Sequence, residues 1–131
     1  MKRTVLIIED NEQNLYLTTF LLEQSGFKAE AARSGPEGIA LASRIQPDLI
    51  LLDIQLPQMD GYAVARALRQ IPALQDVPVV AVTSYAMVGD RERTLEAGCN
   101  GYMEKPINPD TFMSEIGKYL KSRPASGGTQ S

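Results

Sequence analysis

Three carboxylates, a hydroxyl and an ammonium stand at the ends of four separate apolar runs. Val5-Leu6-Ile7-Ile8 leads into Glu9-Asp10, Leu49-Ile50-Leu51-Leu52 into Asp53, Val79-Val80-Ala81-Val82 into Thr83, and Gly101-Tyr102-Met103-Glu104 into Lys105-Pro106. Gathered in one place, these groups suit phosphate and magnesium chemistry. A carboxylate can act as in-line nucleophile, the other acids can hold a hard cation, and a hydroxyl and a fixed positive charge can meet phosphoryl oxygens. Two carboxylates about 4 Å apart repel by roughly 4 kcal/mol at an effective dielectric of 20. Such a cluster persists when a cation sits among its members or a pKa rises. An all-oxygen set without His or Cys points to magnesium or calcium, and a few carboxylates plus a carbonyl and waters favour magnesium.

The elements that must position these residues follow from the same runs. Unbroken stretches of β-branched residues and Leu read as strands buried on both faces, which requires a parallel sheet with helices on either side. In such a sheet every carboxyl end lies on one edge, so residues distant in sequence meet in one crevice. Between the strands come helical patterns. Glu12 to Gln24 carries Leu15, Leu17, Leu21 and Leu22 and ends at Gly26. Lys28 to Ala32 is a weaker, Ala-rich strand suited to a sheet edge. Ser34-Gly35-Pro36-Glu37 has the form of a capping box, with helix continuing to Ile45. Asp60-Gly61 opens a third helix with Val64, Leu68 and Ile71 on one face, closed by Pro72. A fourth runs from Met87 to Ala97, and Asn108-Pro109 starts a fifth with Phe112, Ile116 and Leu120 inward. Five βα units with right-handed crossovers and an edge-like second strand predict a doubly wound, flavodoxin-like α/β fold of strand order 2-1-3-4-5.

The whole chain, 131 residues with 44% hydrophobic and 22% charged, fits one soluble domain that needs no disulfide. The domain is expected over residues 1–121. Residues 122–131, with no apolar content to bury, are expected to form a disordered tail without an effector module. A net charge of −3 and no basic stripe argue against direct nucleic-acid binding. No apolar run is long enough for a membrane span or shaped as a signal peptide, so a cytoplasmic location is the expectation. Cys99 stands alone, and its place before Asn100-Gly101 suggests a turn rather than a reactive thiol. The absence of histidine excludes a histidine base, a histidine ligand and any phosphohistidine on this chain.

Ile8-Glu9-Asp10-Asn11, Leu52-Asp53 through Asp60-Gly61, Val82-Thr83-Ser84 and Tyr102-Met103-Glu104-Lys105-Pro106 together resemble the receiver domain of two-component response regulators. The likeness spans residues 3 to 121. Through Glu9-Asp10-Asn11-Glu12-x-Asn14 and Pro78 to Thr83 it is most similar to stand-alone, single-domain regulators of the DivK type. The resemblance implies Asp53 as phosphoacceptor, magnesium held by Glu9, Asp10, Asp53 and the Gln55 carbonyl, and Thr83 and Lys105 on the phosphoryl group. It also implies a cis bond before Pro106, and a switch in which Thr83 moves inward and Tyr102 turns from exposed to buried. The face made by the fourth helix, fifth strand and fifth helix would then be remodelled for an effector protein. Gln55 and Tyr85, two places beyond Asp53 and Thr83, would tune dephosphorylation. A Tyr85 ring over the phosphoryl group is expected to slow its hydrolysis.

The donor implied is a histidine kinase or histidine phosphotransfer protein. The chain itself would be a monomer or a phosphorylation-dependent dimer, and no enzyme beyond its own phosphorylation and dephosphorylation. Tyr16 and Leu15 are candidates for receiving the donor's helix. Met87, Val88, Ile107 and Tyr119 are candidates for an apolar partner surface. Two alternatives carry the same fold or chemistry. A phosphorylation-independent adaptor could retain the whole acidic pocket. An aspartyl-phosphate phosphatase would place an Asp-x-Asp nucleophile after the first strand, whereas here Asp53-Ile54-Gln55 follows the third. A flavin carrier or dinucleotide enzyme needs a phosphate-binding glycine loop after the first strand, where Glu9-Asp10-Asn11-Glu12 would repel phosphate.

Overall fold

The computed structural model describes residues 2–57, 59–84 and 90–121. Five parallel strands, β1 (Thr4–Ile8), β2 (Lys28–Ala32), β3 (Leu49–Asp53), β4 (Val79–Thr83) and β5 (Gly101–Glu104), form one sheet in the order β2-β1-β3-β4-β5. The helices are α1 (Glu12–Gln24), α2 (Gly35–Ile45), α3 (Gly61–Arg69), α4 (Asp90–Glu96) and α5 (Pro109–Lys121). This is the doubly wound architecture expected from the alternating pattern. The proposed tail, residues 122–131, lies outside the described residues.

Because side chains alternate along a strand, each apolar run supplies both faces of the sheet. Val5, Ile7, Leu49, Leu51, Val80 and Val82 pack with Leu15 and Leu22 of α1 and with Phe112, Ile116 and Leu120 of α5. Leu6, Ile8, Ile50, Leu52, Val79 and Ala81 pack with Ala42 of α2 and with Val64, Ala65 and Leu68 of α3. β3 and β4 are buried along their whole length, while the outer strand β2 is only partly covered.

The caps follow side-chain chemistry. The Asn11 side chain accepts the Asn14 N–H, and the Asp60 side chain accepts the Ala63 N–H. At α2 the Ser34 hydroxyl accepts from the Glu37 N–H at 3.3 Å, but the Glu37 carboxylate takes the Arg33 N–H at 2.9 Å. The capping box is thus displaced by one residue on its return arm. α3 ends at Arg69, before the expected Ile71, because Pro72 disfavours helical geometry at the residue preceding it. Ile71 still packs on the core, and Pro72–Leu74 form a 3₁₀ turn. α4 begins at Asp90 among the described residues, and Met87 and Val88 lie outside them.

At the amino-terminal end of β4 and β5 the side chain of Arg69 forms a knot. Its Nε donates to the Gly98 carbonyl at 2.8 Å, one terminal nitrogen to the Leu74 carbonyl at 2.8 Å, and the other to Asn100 Oδ1 at 2.7 Å. Asn100 Oδ1 also accepts the Val79 N–H at 2.8 Å, so the same oxygen fixes the start of β4. Gly98 has φ +108°, and a Cβ there would sit 2.6 Å from Arg69 Cγ. Glycine is required on both counts.

Candidate functional site

At the carboxyl edge of the sheet, β1 and β3 are neighbours, so Glu9-Asp10 and Asp53 leave the sheet side by side. One carboxylate oxygen from each of Glu9, Asp10 and Asp53 lies within 4.8 Å of the others. Glu9 and Asp53 are buried, at 4% and 3% exposure, while Asp10 faces solvent. Lys105 arrives from the end of β5, its Nζ 3.3 Å from Glu9 Oε1 and 3.3 Å from Asp53 Oδ2. By alternation, Glu9, Asp53 and Lys105 belong to the face of Ile7, Leu51 and Met103 that α1 and α5 cover.

Backbone donors complete the setting. The Gln55 N–H donates to Asp53 Oδ1 at 2.9 Å, and the Asn11 N–H to Glu9 Oε2 at 3.1 Å. Asp53 therefore has one oxygen held by an amide and the other turned to the ammonium. The loop after Asp53 is pinned where the Gly61 N–H donates to the Ile54 carbonyl at 3.0 Å. A Cβ at Gly61 would collide with the Ile54 backbone, so no larger residue fits this approach. Burial raises the Glu9 carboxyl to about 7, helped by the negative charge of Asp53 and a hydrogen bond with it, and opposed by Lys105 and the Asn11 amide. The repulsion expected from the residue types is therefore present in the folded chain. It is answered by a proton and an ammonium, and an incoming divalent cation could replace the proton.

Thr83, 4% exposed, ends β4 beside this cluster, and its carbonyl accepts the Lys105 N–H at 2.8 Å. Its parity along the strands places it on the same face as Tyr102, which pairs with Ala81 two residues earlier. Tyr102 is half-buried, with the Arg91 guanidinium 6.0 Å from its ring centre. The Lys105-Pro106 bond is cis. A groove of about 510 Å³, lined by Arg91, Leu95, Tyr102, Pro106, Phe112 and Tyr119 among others, runs along α4, β5 and α5.

The sequence-derived site residues Glu9, Asp10, Asp53, Gln55 and Lys105 all line one open cleft with Asn11, Glu12, Asn14 and Ser84. Tyr85 lies outside the described residues, as do Met87 and Val88. Two surface candidates are core residues instead. Leu15, at 7% exposure, and Ile107, at 9%, both pack in the cluster under α1 and α5. Tyr16 does face solvent, at 73% exposure, with Phe20 one turn further along α1. Ser84 and the Gln55 side chain form a contact that sequence reasoning missed: the Ser84 N–H donates to Gln55 Oε1 at 3.0 Å.

Residues 5–117 match the response regulator receiver domain family. The chain belongs to that family. It is 45% identical over 120 residues to the polar-differentiation response regulator DivK of Brucella ovis, covering 92% of this chain and 98% of that protein. Among solved structures, the receiver domain of the sensor histidine kinase PA1611 from Pseudomonas aeruginosa superimposes with a TM-score of 0.85 at 30% identity, over 92% of this chain and 99% of that one. That structure holds a magnesium ion coordinated in its active-site cleft. A CheY-like receiver domain protein from Methanospirillum hungatei gives a TM-score of 0.86 at 29% identity, over 93% and 96% of the two chains. The receiver family ties this chain to phosphorylation-dependent signalling. No helix among the described residues is long and apolar enough to cross a membrane.

Proposed function

We propose that this receiver is a switch in which Asp53 accepts a phosphoryl group from a phosphohistidine on a partner kinase or phosphotransfer protein. The observation that carries this reading is the setting of the Asp53 carboxylate. It is buried in the cleft, with Oδ1 fixed by the Gln55 amide and Oδ2 facing Lys105 at 3.3 Å. An oxygen so placed is oriented for in-line attack without a separate base. The O–P bond forms as the donor's N–P bond breaks, and the departing imidazole keeps the bond's electron pair and picks up a proton. Lys105, freed from balancing two carboxylates, faces the new phosphoryl oxygens.

Glu9, Asp10, Asp53 and the Gln55 carbonyl are the groups that would hold magnesium, and three carboxylate oxygens within 4.8 Å of one another fit a hard cation. When bound, magnesium supplies charge neutralisation for the phosphoryl oxygens and the acids around them. The acyl phosphate would draw the Thr83 hydroxyl inward, and the shared face of Thr83 and Tyr102 makes that movement felt at Tyr102. The groove along α4, β5 and α5 is the surface on which an effector protein would read the change. Tyr16 and Phe20, exposed on α1, whose first turn lines the cleft, suit the docking of the donor. The domain turns over no external substrate in this reading, and the cytoplasm is its proposed location.

Incubation with magnesium and acetyl phosphate, followed by intact-mass measurement, tests the proposal. Wild type should gain the mass of one phosphoryl group and Asp53→Asn should not. Equal gain in both would remove Asp53 from its role. No gain in either, even with a panel of histidine kinases, would favour the phosphorylation-independent adaptor.

A further inference from the structure

The backbone between β3 and β4 leaves one donor that the sheet does not use. Continuing the parallel ladder past its last rungs, the Ile54 N–H donates to the Val82 carbonyl at 3.0 Å. The next rung would run from the Ser84 N–H to the Ile54 carbonyl. That carbonyl is turned to the Gly61 N–H at 3.0 Å, the contact that pins the Asp53 loop. The Ser84 N–H is met by the Gln55 side chain, whose Oε1 lies 3.0 Å away. Both residues line the same open cleft as Asp53 and Lys105.

From this we propose that the Gln55 side chain is a removable cap on the Ser84 N–H, so that phosphorylation of Asp53 must displace the Gln55 amide to gain a backbone donor. The proposal rests on Asp53 being the phosphoacceptor. A phosphoryl group there places three strongly accepting oxygens in a cleft whose β4 wall offers the Ser84 N–H. A charged phosphoryl oxygen is the stronger acceptor, so it displaces a neutral amide oxygen. The exchange has a cost and a consequence. The cost is one neutral hydrogen bond, which opposes phosphorylation. The consequence is that the tie between the β3 loop and the residue after Thr83 is released at the moment the switch is thrown. Gln55 therefore acts as a positioning residue on both sides of the site: its backbone N–H holds Asp53 Oδ1, and its side chain holds β4's exit in the resting state.

Three variants separate this cap from simple bulk. Gln55→Ala removes the side chain, Gln55→Met keeps its length without an acceptor, and Gln55→Glu keeps an acceptor and adds charge. The Ser84 amide is followed by nitrogen–proton correlation spectra and hydrogen exchange, with and without magnesium and beryllofluoride, a phosphoryl mimic that needs no leaving group. Uptake from acetyl phosphate is followed by intact mass. In Gln55→Ala and Gln55→Met the resting Ser84 amide should lose protection and shift toward weaker hydrogen bonding. Their uptake should rise about two- to tenfold, the range one net hydrogen bond supports. Gln55→Glu should be slower than wild type. Beryllofluoride should move the wild-type Ser84 amide as it changes partner. Faster uptake in Gln55→Ala but not in Gln55→Met would show that bulk matters, and would overturn the cap. So would an unmoved Ser84 amide on loading while phosphate is still taken up, which leaves the phosphoacceptor role standing. Failure of wild type to take up phosphate at all would overturn both.

Discussion

Two cationic side chains close opposite ends of the same pair of strands, and they are built in opposite ways. At the amino end of β4 and β5, Arg69 donates to neutral oxygens of Gly98, Leu74 and Asn100 at 2.7–2.8 Å. At the carboxyl end, Lys105 lies 3.3 Å from each of two buried carboxylates that repel one another. The planar guanidinium matches a fixed set of acceptors, whereas an ammonium on a flexible stem is a point charge that can change partners. The first arrangement is held by hydrogen bonds to fixed neutral acceptors. The second adds to two backbone donors a charge balance that, in the proposed reading, an arriving cation or phosphoryl group would rearrange without breaking the sheet. Stability and reactivity are thus assigned to different ends of one sheet.

Lys105→Met should lower uptake from acetyl phosphate by about 10²–10³, the usual effect of removing one preorganised group that stabilises transition-state charge. Intact mass against time measures it. A loss below about threefold, within the worth of a single neutral hydrogen bond, would mean that the ammonium only balances the resting carboxylates.

Arg69→Met should do the reverse. It strips donors from three oxygens and unfastens the start of β4, and should cost about 2–4 kcal/mol in denaturant unfolding. Uptake per folded molecule should be unchanged. If uptake fell in step with stability, the two ends would be coupled and the division drawn above would be wrong.

The acids at the two ends titrate in different windows. In metal-free protein Glu9 is raised from 4.5 to about 7. Between those values the folded chain keeps a proton that the unfolded chain has released, so stability is greatest below the lower value and falls as pH rises toward 7. The decline should be about 3 kcal/mol, and Glu9→Gln should flatten it. Thermal melts in chelator across pH 4.5–7.5 measure it. A stability that instead climbed with pH in this window, in wild type but not in Glu9→Gln, would mean that Lys105 outweighs burial.

What could be read from the chain divides along similar lines. β1, β3 and β4 announce themselves because both faces are buried, which leaves no polar residue to interrupt Val5–Ile8, Leu49–Leu52 or Val79–Val82. The acidic site was legible because parallel strands send their ends to one edge, so adjacency followed once the strand order was inferred. The Arg69 knot was not. Its acceptors are mostly backbone carbonyls, which carry no side-chain signature, and they come from the 3₁₀ turn at Leu74 and the turn at Gly98, far apart in sequence. The Ser84–Gln55 contact was hidden for a related reason, since it exists only where a ladder rung is diverted to Gly61. Leu15 and Ile107 read as surface candidates because each follows closely on site residues in the sequence, Leu15 on Glu9-Asp10 and Ile107 on Lys105. Only packing under α1 and α5 places them inside.

The smallest expected effect concerns Cys99, which lies beside the Arg69 knot. Burial raises its thiol from 9.0 to about 11, with the positive charge of Arg69 pulling the other way. A raised acid again makes the folded state the better proton binder. Stability contributed below pH 9 is therefore lost as pH climbs toward 11, by about 1 kcal/mol at pH 10. Cys99→Ala should lose this slope, whatever it does to the absolute stability by leaving a small void. Arg69→Met should steepen it, since the compensating charge is gone. The same burial predicts slow alkylation by iodoacetamide at pH 8.5, at a rate set by opening of the fold rather than by thiolate at the surface. Rapid alkylation of the fully folded protein would show that the amino end of the sheet opens locally, and that its Arg69 hydrogen bonds do not make it the more rigid of the two ends.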